Sequence, residues 1–193
     1  MCTLAQNLIL QKTLHQYDAI IGRCQELFYQ KTLDYGTAWR ILRPSSLTDQ
    51  LYIKAKRIRQ IETTGEQRVA DPVSEEYMGL INYSLLAILQ LHAAADDPLE
   101  LDAQDALERY RAQVAITRQL MIDKNSDYGE VWREMRLSSL TDLILQKLLR
   151  VKQIEDNAGR TRVSEGLEAN YRDIVNYAVF ALIKLGESNE ATP

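Results

Sequence analysis

The sequence is poor in the residues on which several large classes of protein depend. Its 193 residues include two cysteines, Cys2 and Cys24, two histidines, eight glycines and four prolines. Two cysteines in the first half of such a chain do not make a disulfide framework, so we expect incidental or buried thiols. Neither His15 nor His92 belongs to a recognisable nucleophilic arrangement with Ser or Cys. The few glycines form no P-loop and no dinucleotide-binding motif.

Strong positive charge and long apolar runs are also missing. The chain has 23 basic and 27 acidic residues and a net charge of −4. Non-specific binding to nucleic acids needs a basic field, so we expect no strong direct nucleic-acid binding. Polar residues interrupt every apolar stretch before the roughly 18 residues of a membrane span. The start, MCTLAQNLILQKTL, lacks the basic and apolar regions of a signal peptide. We therefore expect a cytoplasmic protein that does not associate with membranes.

What the sequence does contain is one segment that occurs twice. Residues 31–62 and 124–155 align at an offset of 93, with 17 of 32 positions identical, where chance would give about two. After a one-residue insertion the match continues through INYS at 81–84 and VNYA at 175–178. The chain is thus a tandem duplication of a unit of about 90 residues. We predict a first unit at 1–96, a linker at 97–104, a second unit at 105–186 and a flexible tail at 187–193.

The spacing of apolar residues predicts three long helices in each unit. In the first helix, Leu10, Leu14, Tyr17 and Ile21 recur at steps of four and three, which is typical of a helix buried along one face. The third helix, about 74–92 and 165–185, is apolar nearly all round, which is typical of the centre of a bundle. No strand-like alternation occurs in the sequence. We predict an all-α fold in which the two units pack about an internal pseudo-twofold axis.

The most distinctive repeated segment is KTLDYGTAWR at 31–40, which returns as KNSDYGEVWR at 124–133. It lies between the first and second helices, and its glycine favours a turn. In one interpretation each Trp closes the end of the bundle. In the other, Tyr and Trp form the wall of a pocket for a flat ligand, and nearby arginines hold its anionic group. The sequence leaves both interpretations open.

The motif SSLTD follows this segment in both units and predicts the start of the second helix. We expect Ser46 and Ser139 to be the N-cap residues. Asp49 and Asp142 then fall at the third helical position, where acidic residues suit the helix dipole.

Two pairs of polar residues occupy helix positions that the apolar pattern assigns to the core. Lys54 and Lys147 lie on the apolar face of the second helix, and Asn82 and Asn176 lie in the most apolar stretch of the third. A buried charge and a buried amide are both costly without partners. Either the lysine ammonium groups reach water while the asparagines fix helix pairing, or these residues line a pocket for phosphate or carboxylate.

The candidate ligand-binding and metal-binding residues can be named from these patterns. Glu165, Glu168 and Asn176 fall on one side of the third helix of the second unit, and the carboxylates there, with Asp173, suit Mg²⁺ or Mn²⁺. Gly79 stands where Asp173 would be, so we expect the second unit to matter more. The candidate ligand-binding residues are Asp34, Tyr35, Trp39, Arg40, Arg43, Lys54, Arg57 and Asn82 in the first unit, and Asp127, Tyr128, Trp132, Arg133, Arg136, Lys147, Arg150 and Asn176 in the second.

The segments KN.DYG..WR, SSLTD with a later QIE, and NY after VSEG resemble the family called nucleotide modification associated domain 1. The resemblance implies an association with systems that modify nucleotides or nucleic acids. The all-α layout is also similar to MazG-like nucleoside triphosphate pyrophosphatases, which hold Mg²⁺ with paired acids on two helices. Here Glu26 has no acidic neighbour one turn away, and Gln119 replaces it in the second unit. Half of that metal site is therefore missing.

Two functions of different classes follow from the sequence. The first is a nucleotide-binding protein associated with nucleotide or nucleic-acid modification, with metal-dependent hydrolysis of a nucleotide phosphoanhydride if it is catalytic. The second is a non-catalytic helical interaction or assembly module. The expected partner is a nucleotide or another phosphate-bearing small molecule, and a homo-oligomer is compatible with either function.

Overall fold

The computed structural model describes residues 4–94, 96–163 and 165–190, without the side chains of residues 4–7 and 187–190. Cys2 lies outside this part of the chain, and Cys24 is a buried free thiol. Within the described residues every regular element is helical and no strand occurs, so the all-α prediction is confirmed. Short 3₁₀ helices at Ala38–Ile41 and Val131–Arg133 precede the second helix of each unit. The α-helices are α1 Leu4–Tyr35, α2 Pro44–Thr64, α3 Val73–Leu91, α4 Ala103–Tyr128, α5 Leu137–Asp156 and α6 Leu167–Glu190.

The third helix of each unit forms the centre of the bundle, as its all-round apolar character predicts. Helices α3 and α6 pack against each other more extensively than any other pair, with α2 on α3, α5 on α6, and α2 on α5. Helices α1 and α4 pack on each other along one side. None of the described helices combines the length and apolarity needed to cross a membrane. The central buried residues include Leu80, Ile81, Leu85 and Ile88 of α3 and Ile174, Val175, Ala178 and Val179 of α6.

Matched hydrogen bonds relate the two units by the predicted pseudo-twofold axis. The Tyr17 hydroxyl of α1 donates to Asn176 Oδ1 of α6 at 2.9 Å, and the Tyr110 hydroxyl of α4 donates to Asn82 Oδ1 of α3 at 2.7 Å. Each asparagine also donates to a backbone carbonyl in the first helix of its own unit. Both asparagines therefore pair helices across the axis, which is one of the two roles left open by the sequence.

The second helix of each unit begins three residues earlier than predicted. Helix α2 begins at Pro44 and α5 begins at Leu137, so Ser46 and Ser139 lie inside the first turn and are not N-cap residues. Neither helix start carries a side-chain capping hydrogen bond. In α2 the proline has the dihedral angle of a first helical residue and has no N–H to satisfy, so it begins the helix without a cap.

The SSLTD motif instead joins the two units. The Thr48 hydroxyl lies 2.7 Å from Glu155 Oε1, to which it donates, and 2.8 Å from the hydroxyl of Tyr171. Asp49 pairs with Lys152 at 2.6 Å. A serine and threonine motif that looks like a capping signal is thus part of the inter-unit interface. The matched set on the other side of the axis is Thr141, Glu62, Tyr77, Asp142 and Arg59.

The repeated Asp-Tyr-Gly segment makes the predicted turn at the end of the first helix. Gly36 and Gly129 have φ angles of 65° and 67°, a conformation that favours glycine. In the first unit the linker packs on this turn. The Thr37 hydroxyl donates to the Leu99 carbonyl at 2.8 Å and accepts the Leu101 N–H at 2.9 Å. The linker therefore closes one end of the first unit.

Candidate functional site

A groove of about 730 Å³ lies in the first unit, between the end of α1, the 3₁₀ helix, α2 and α3. Ligand pockets in proteins have volumes of roughly 300–1,000 Å³, so this groove is large enough for a small molecule. We refer to it as the first-unit groove. Four predicted residues line it together: Tyr35, Trp39, Lys54 and Asn82.

Aromatic side chains form much of the surface of the first-unit groove. Tyr35 is 59% exposed, and partial burial together with the neighbouring Tyr83 raises the pKa of its hydroxyl. Trp39 is half-buried and lines the same groove. Below them, Phe28 stacks on Tyr110 of α4 with ring centroids 4.6 Å apart. The second unit thus supports the floor of a groove that the first unit lines.

Two lysines line the first-unit groove, and only one of them has a partner. Lys54 Nζ lies 3.2 Å from Glu76 Oε2, and Arg57 donates to the other oxygen of Glu76 at 2.5 Å. Lys31 is exposed and forms no hydrogen bond or ion pair with any residue that the structure describes. A ligand anion can therefore pair with Lys31 without breaking an internal ion pair.

Carboxylates also line the first-unit groove, beside the start of α3. They belong to Asp71, Glu75 and Glu76, of which Glu76 is the one bound to Lys54. A carboxylate accepts hydrogen bonds, whereas a lysine donates them. The groove therefore presents both donors and acceptors beside its aromatic surface.

Gly79 makes room for the lysine of the first-unit groove. A Cβ atom at this position would lie 2.7 Å from Cδ and Cε of Lys54. In the second unit the corresponding residue is Asp173, whose carboxylate pairs with Lys147 at 2.6 Å and with Lys124 at 2.6 Å. Both core-facing lysines therefore have acidic partners, but the two partners stand one helical turn apart on the third helix.

Larger side chains fill the corresponding space in the second unit. Trp132 is buried and stacks on Phe180 with ring centroids 4.2 Å apart, whereas the first unit has Leu86 at the position of Phe180. Arg172 stands at the position that corresponds to Met78, and its side chain is buried there. The expectation that the second unit would matter more stays a prediction, and Gly79 in the first unit opens space as well as removing an acid. Arg172 bonds to Gln113, Thr117 and Glu168.

The three acids predicted to bind a metal line a smaller pocket of about 340 Å³ in the second unit. The Asp173 carboxylate forms ion pairs with two lysines. Glu168 accepts a hydrogen bond from Arg172 and lies 2.7 Å from His92 Nε2. Burial would raise the pKa of Glu168, but the bonds from Arg172 and His92 hold it below its ordinary value. Across the described ranges, no group of three or more His, Cys, Asp or Glu side chains is arranged to hold a metal. Glu165, Glu168 and Asp173 as placed therefore do not fit Mg²⁺ or Mn²⁺.

The predicted arginines do not line the first-unit groove. Arg40 is buried with its Nη1 atom 3.9 Å from Asp97, and Arg133 pairs with Glu130 at 2.5 Å. Successive residues of a 3₁₀ helix are about 120° apart, so the residue after a groove-facing Trp lies on another side. Arg150 lines a separate groove near the end of α5. The remaining predicted residues are exposed: Asp34, Arg43, Asp127, Tyr128 and Arg136.

Many residues of the first-unit groove were not predicted from the sequence, among them Lys31, Tyr83 and Glu76. Lys31 and Tyr83 are identical in the two units, so the repeat itself carried a signal for them. Glu76 carried none, because the second unit has Asn170 at that position. The pairing of Lys54 with Glu76 depends on how α2 packs against α3, which the sequence alone does not show.

Comparison with protein families matches both units of the repeat. A family model described as nucleotide modification associated domain 1 matches residues 31–91 and, separately, residues 124–185. Each matched segment runs from the lysine before the Asp-Tyr-Gly turn to the third helix, and the first of them, 31–91, includes most of the lining of the first-unit groove. No curated protein and no solved structure matches the chain. Similarity to MazG-like pyrophosphatases is therefore not shown.

Proposed function

We propose, from the premise that the chain belongs to the nucleotide modification associated domain 1 family, that the first-unit groove binds a nucleotide. The observation that carries this proposal is the combination of aromatic rings, lysines and carboxylates around a space of about 730 Å³. A nucleotide has a flat base, a sugar with hydroxyl donors and an anionic phosphate. The groove has a chemical partner for each of these parts.

The aromatic residues of the groove are suited to the base. Stacking of a nucleobase on an aromatic side chain contributes about 1–3 kcal/mol per base, and any base can take part. Trp39 has no stacked aromatic neighbour among the described residues, whereas Trp132 stacks on Phe180. Tyr35 and Tyr83 extend the same surface towards solvent. In this proposal the base lies against these rings.

The charged residues of the groove are suited to the phosphate and the sugar. The Lys31 ammonium has no ion-pair partner among the described residues, and Lys54 lies across Gly79 in the same groove. In this proposal both lysines face the phosphate, where partial exclusion of water strengthens the attraction. Asp71 and Glu75 can accept hydrogen bonds from ribose hydroxyls or from N–H groups of the base.

The alternative function, a helical module without catalysis, is favoured for the second unit by its side-chain partners. Trp132 stacks on Phe180, and Lys147 pairs with Asp173. Asn176 bonds to Tyr17 across the axis. In our proposal the second unit is a scaffold for the groove of the first, and the proposal extends to binding and not to a chemical step.

Calorimetric titration with nucleoside mono-, di- and triphosphates, with and without Mg²⁺ or Mn²⁺, tests the proposal. Tyr35→Ala should weaken binding about tenfold or more, because one stacking partner is lost. The matched control is Tyr128→Ala, since Tyr128 is the exposed counterpart of Tyr35 in the second unit. This control should bind as the wild type does. Lys31→Met should weaken binding of triphosphates more than of nucleosides.

Two results would contradict nucleotide binding in this groove. One is the absence of binding heat for the wild type with every nucleotide and metal combination. The other is equal loss of affinity in Tyr35→Ala and Tyr128→Ala, which would place the ligand elsewhere. The titrations with metal also test the prediction of Mg²⁺ or Mn²⁺ directly.

A further inference from the structure

We propose that a second site, at the end of α5 in the second unit, binds a phosphate-type anion. A groove of about 200 Å³ is lined there by Arg150, Arg160 and Arg162, together with the side chains of Gln153 and Asn157. We refer to it as the arginine groove. Guanidinium groups bind phosphate through paired N–H donors, which makes arginine well suited to this ligand. The volume is below the roughly 300 Å³ of the smallest usual ligand pockets, so a phosphate group fits better than a whole nucleotide.

The corresponding surface of the first unit is charge-balanced. Arg57, the counterpart of Arg150, donates to Glu76 at 2.5 Å. Arg68, the counterpart of Arg162, lies 3.7 Å from Glu66. Each of these arginines therefore has a carboxylate partner within its own unit.

The second unit lacks both of these carboxylates. At an offset of 94, Arg160 stands at the position of Glu66, and Asn170 stands at the position of Glu76. One replacement reverses a charge and the other removes one. Asn170 is fully buried, and its Oδ1 has no hydrogen-bond partner. The same surface that is neutral in the first unit therefore carries three positive charges in the second.

The arginines of this groove have no acidic partners among the described residues. Arg150 is half-buried, and neither it nor Arg162 forms a hydrogen bond or ion pair with a described residue. Arg160 donates only to a backbone carbonyl, at 3.5 Å. Asp156 and Glu165 are near in sequence, but neither lines the groove. A half-buried guanidinium without a counter-ion is unfavourable, and a bound phosphate would supply the missing charge.

The arginine groove is separate from the first-unit groove, so its anion-binding role does not depend on the proposed nucleotide site. The two grooves share no lining residue and lie in different units. The anion is either inorganic phosphate or the phosphate of a small nucleotide. These two sources have the same chemistry at the arginines and can be distinguished by titration.

The test measures binding of inorganic phosphate to the full chain by calorimetry, with sodium chloride at equal ionic strength as the reference. Arg160→Glu restores the charge found in the first unit at an exposed position, so it should leave the fold intact. We expect it to weaken phosphate binding about tenfold or more, because a charge-assisted contact is replaced by repulsion. The matched control, Arg68→Gln in the first unit, should bind phosphate as the wild type does. A parallel titration with adenosine monophosphate identifies the preferred source of the anion.

Equal phosphate affinity in the wild type and Arg160→Glu would overturn the proposal, as would no phosphate binding by the wild type with either source. A second variant, Arg150→Gln, removes an arginine without introducing an acid, and it should also bind phosphate more weakly. Tyr35→Ala should retain phosphate binding in full. Loss of nucleotide binding in that variant would therefore leave this proposal standing, and failure of this proposal would leave the first-unit groove unaffected.

Discussion

At the scale of single residues, Gly36 and Gly129 have similar φ angles in different surroundings. Both have positive φ angles, 65° and 67°. A Cβ atom on Gly36 would collide with the carboxylate of Glu100 in the linker, whereas a Cβ atom on Gly129 would meet nothing within 4 Å. Glu100 also accepts a hydrogen bond from the Thr37 N–H at 3.3 Å. A side chain added at Gly36 would therefore disturb the linker, whereas one added at Gly129 would not.

Gly36→Ala should destabilise the protein more than Gly129→Ala. Both changes force an L-residue to adopt a positive φ angle, at a cost of about 1–3 kcal/mol. Gly36→Ala also displaces Glu100 from Thr37, which adds about 0.5–1.5 kcal/mol for a lost hydrogen bond. Urea unfolding measures both values, and the cost of Gly36→Ala should fall when Glu100→Ala is the background, whereas the cost of Gly129→Ala should not change. An unchanged cost of Gly36→Ala in that background would assign its extra cost to something other than the linker.

At the scale of helices, two carboxylates at helix ends join the units. Glu62 at the end of α2 accepts from Thr141 of α5, and Glu155 at the end of α5 accepts from Thr48 of α2. Burial raises the pKa of both carboxyl groups above its ordinary value, although the threonine hydrogen bonds lower it in part. The interface between α2 and α5 is therefore sensitive to protonation.

The contribution of these two groups to stability should fall as pH rises. Because their pKa in the folded state exceeds the ordinary value of 4.5, the folded state binds more protons than the unfolded state between 4.5 and the raised value. The free energy of unfolding that they contribute therefore decreases through this window and stays low above it. Glu62→Gln with Glu155→Gln removes the dependence. Urea unfolding of both proteins from pH 4.5 to neutrality should show that the free energy of unfolding of the wild type decreases relative to that of the variant as pH rises. A constant difference would contradict the assignment.

The helices could be predicted from the sequence, but their partners across the interface could not. Apolar spacing is a local property, so the three helices of each unit and their order followed from it. The carboxylate partner of a residue such as Thr48 depends on which helix packs opposite. By sequence alone, SSLTD is therefore typical of a capping motif. In the structure it contributes to the interface between α2 and α5.

The candidate site was predictable in part for the same physical reason. Tyr35, Trp39, Lys54 and Asn82 stood out by type and position, and the fold brings them to one groove. The depth of that groove was not predictable, because it depends on how the side chains of α1, α2 and α3 pack around it. A sequence comparison of the copies shows that Gly79 replaces an acid, but only the packing shows that it also creates space.

At the scale of the whole molecule, the two units share one hydrophobic core. The buried cluster is continuous from Tyr17 and Phe28 in the first unit to Tyr171 and Phe180 in the second. Hydrogen bonds cross the pseudo-twofold axis at both asparagine positions. Neither unit can unfold without exposing apolar surface of the other.

Thermal unfolding should therefore be a single cooperative transition, although the chain is a tandem repeat. Differential scanning calorimetry should give a calorimetric enthalpy equal to the van't Hoff enthalpy, which is the criterion for two-state behaviour. A ratio near one would agree with the shared core. Two resolved transitions, or a calorimetric enthalpy about twice the van't Hoff value, would mean that the units unfold independently.

Because the linker joins the two copies in one chain, a residue can be substituted in one copy without being substituted in the other. In an assembly of two identical chains, a replacement that fills a cavity in one subunit fills the same cavity in the other. Here Gly79 and Asp173 are encoded at separate positions of one chain, so one copy can keep a wide groove while the other retains only a smaller pocket. Covalent fusion thus permits a division of labour, in which one copy is free to specialise because the other preserves the shared architecture.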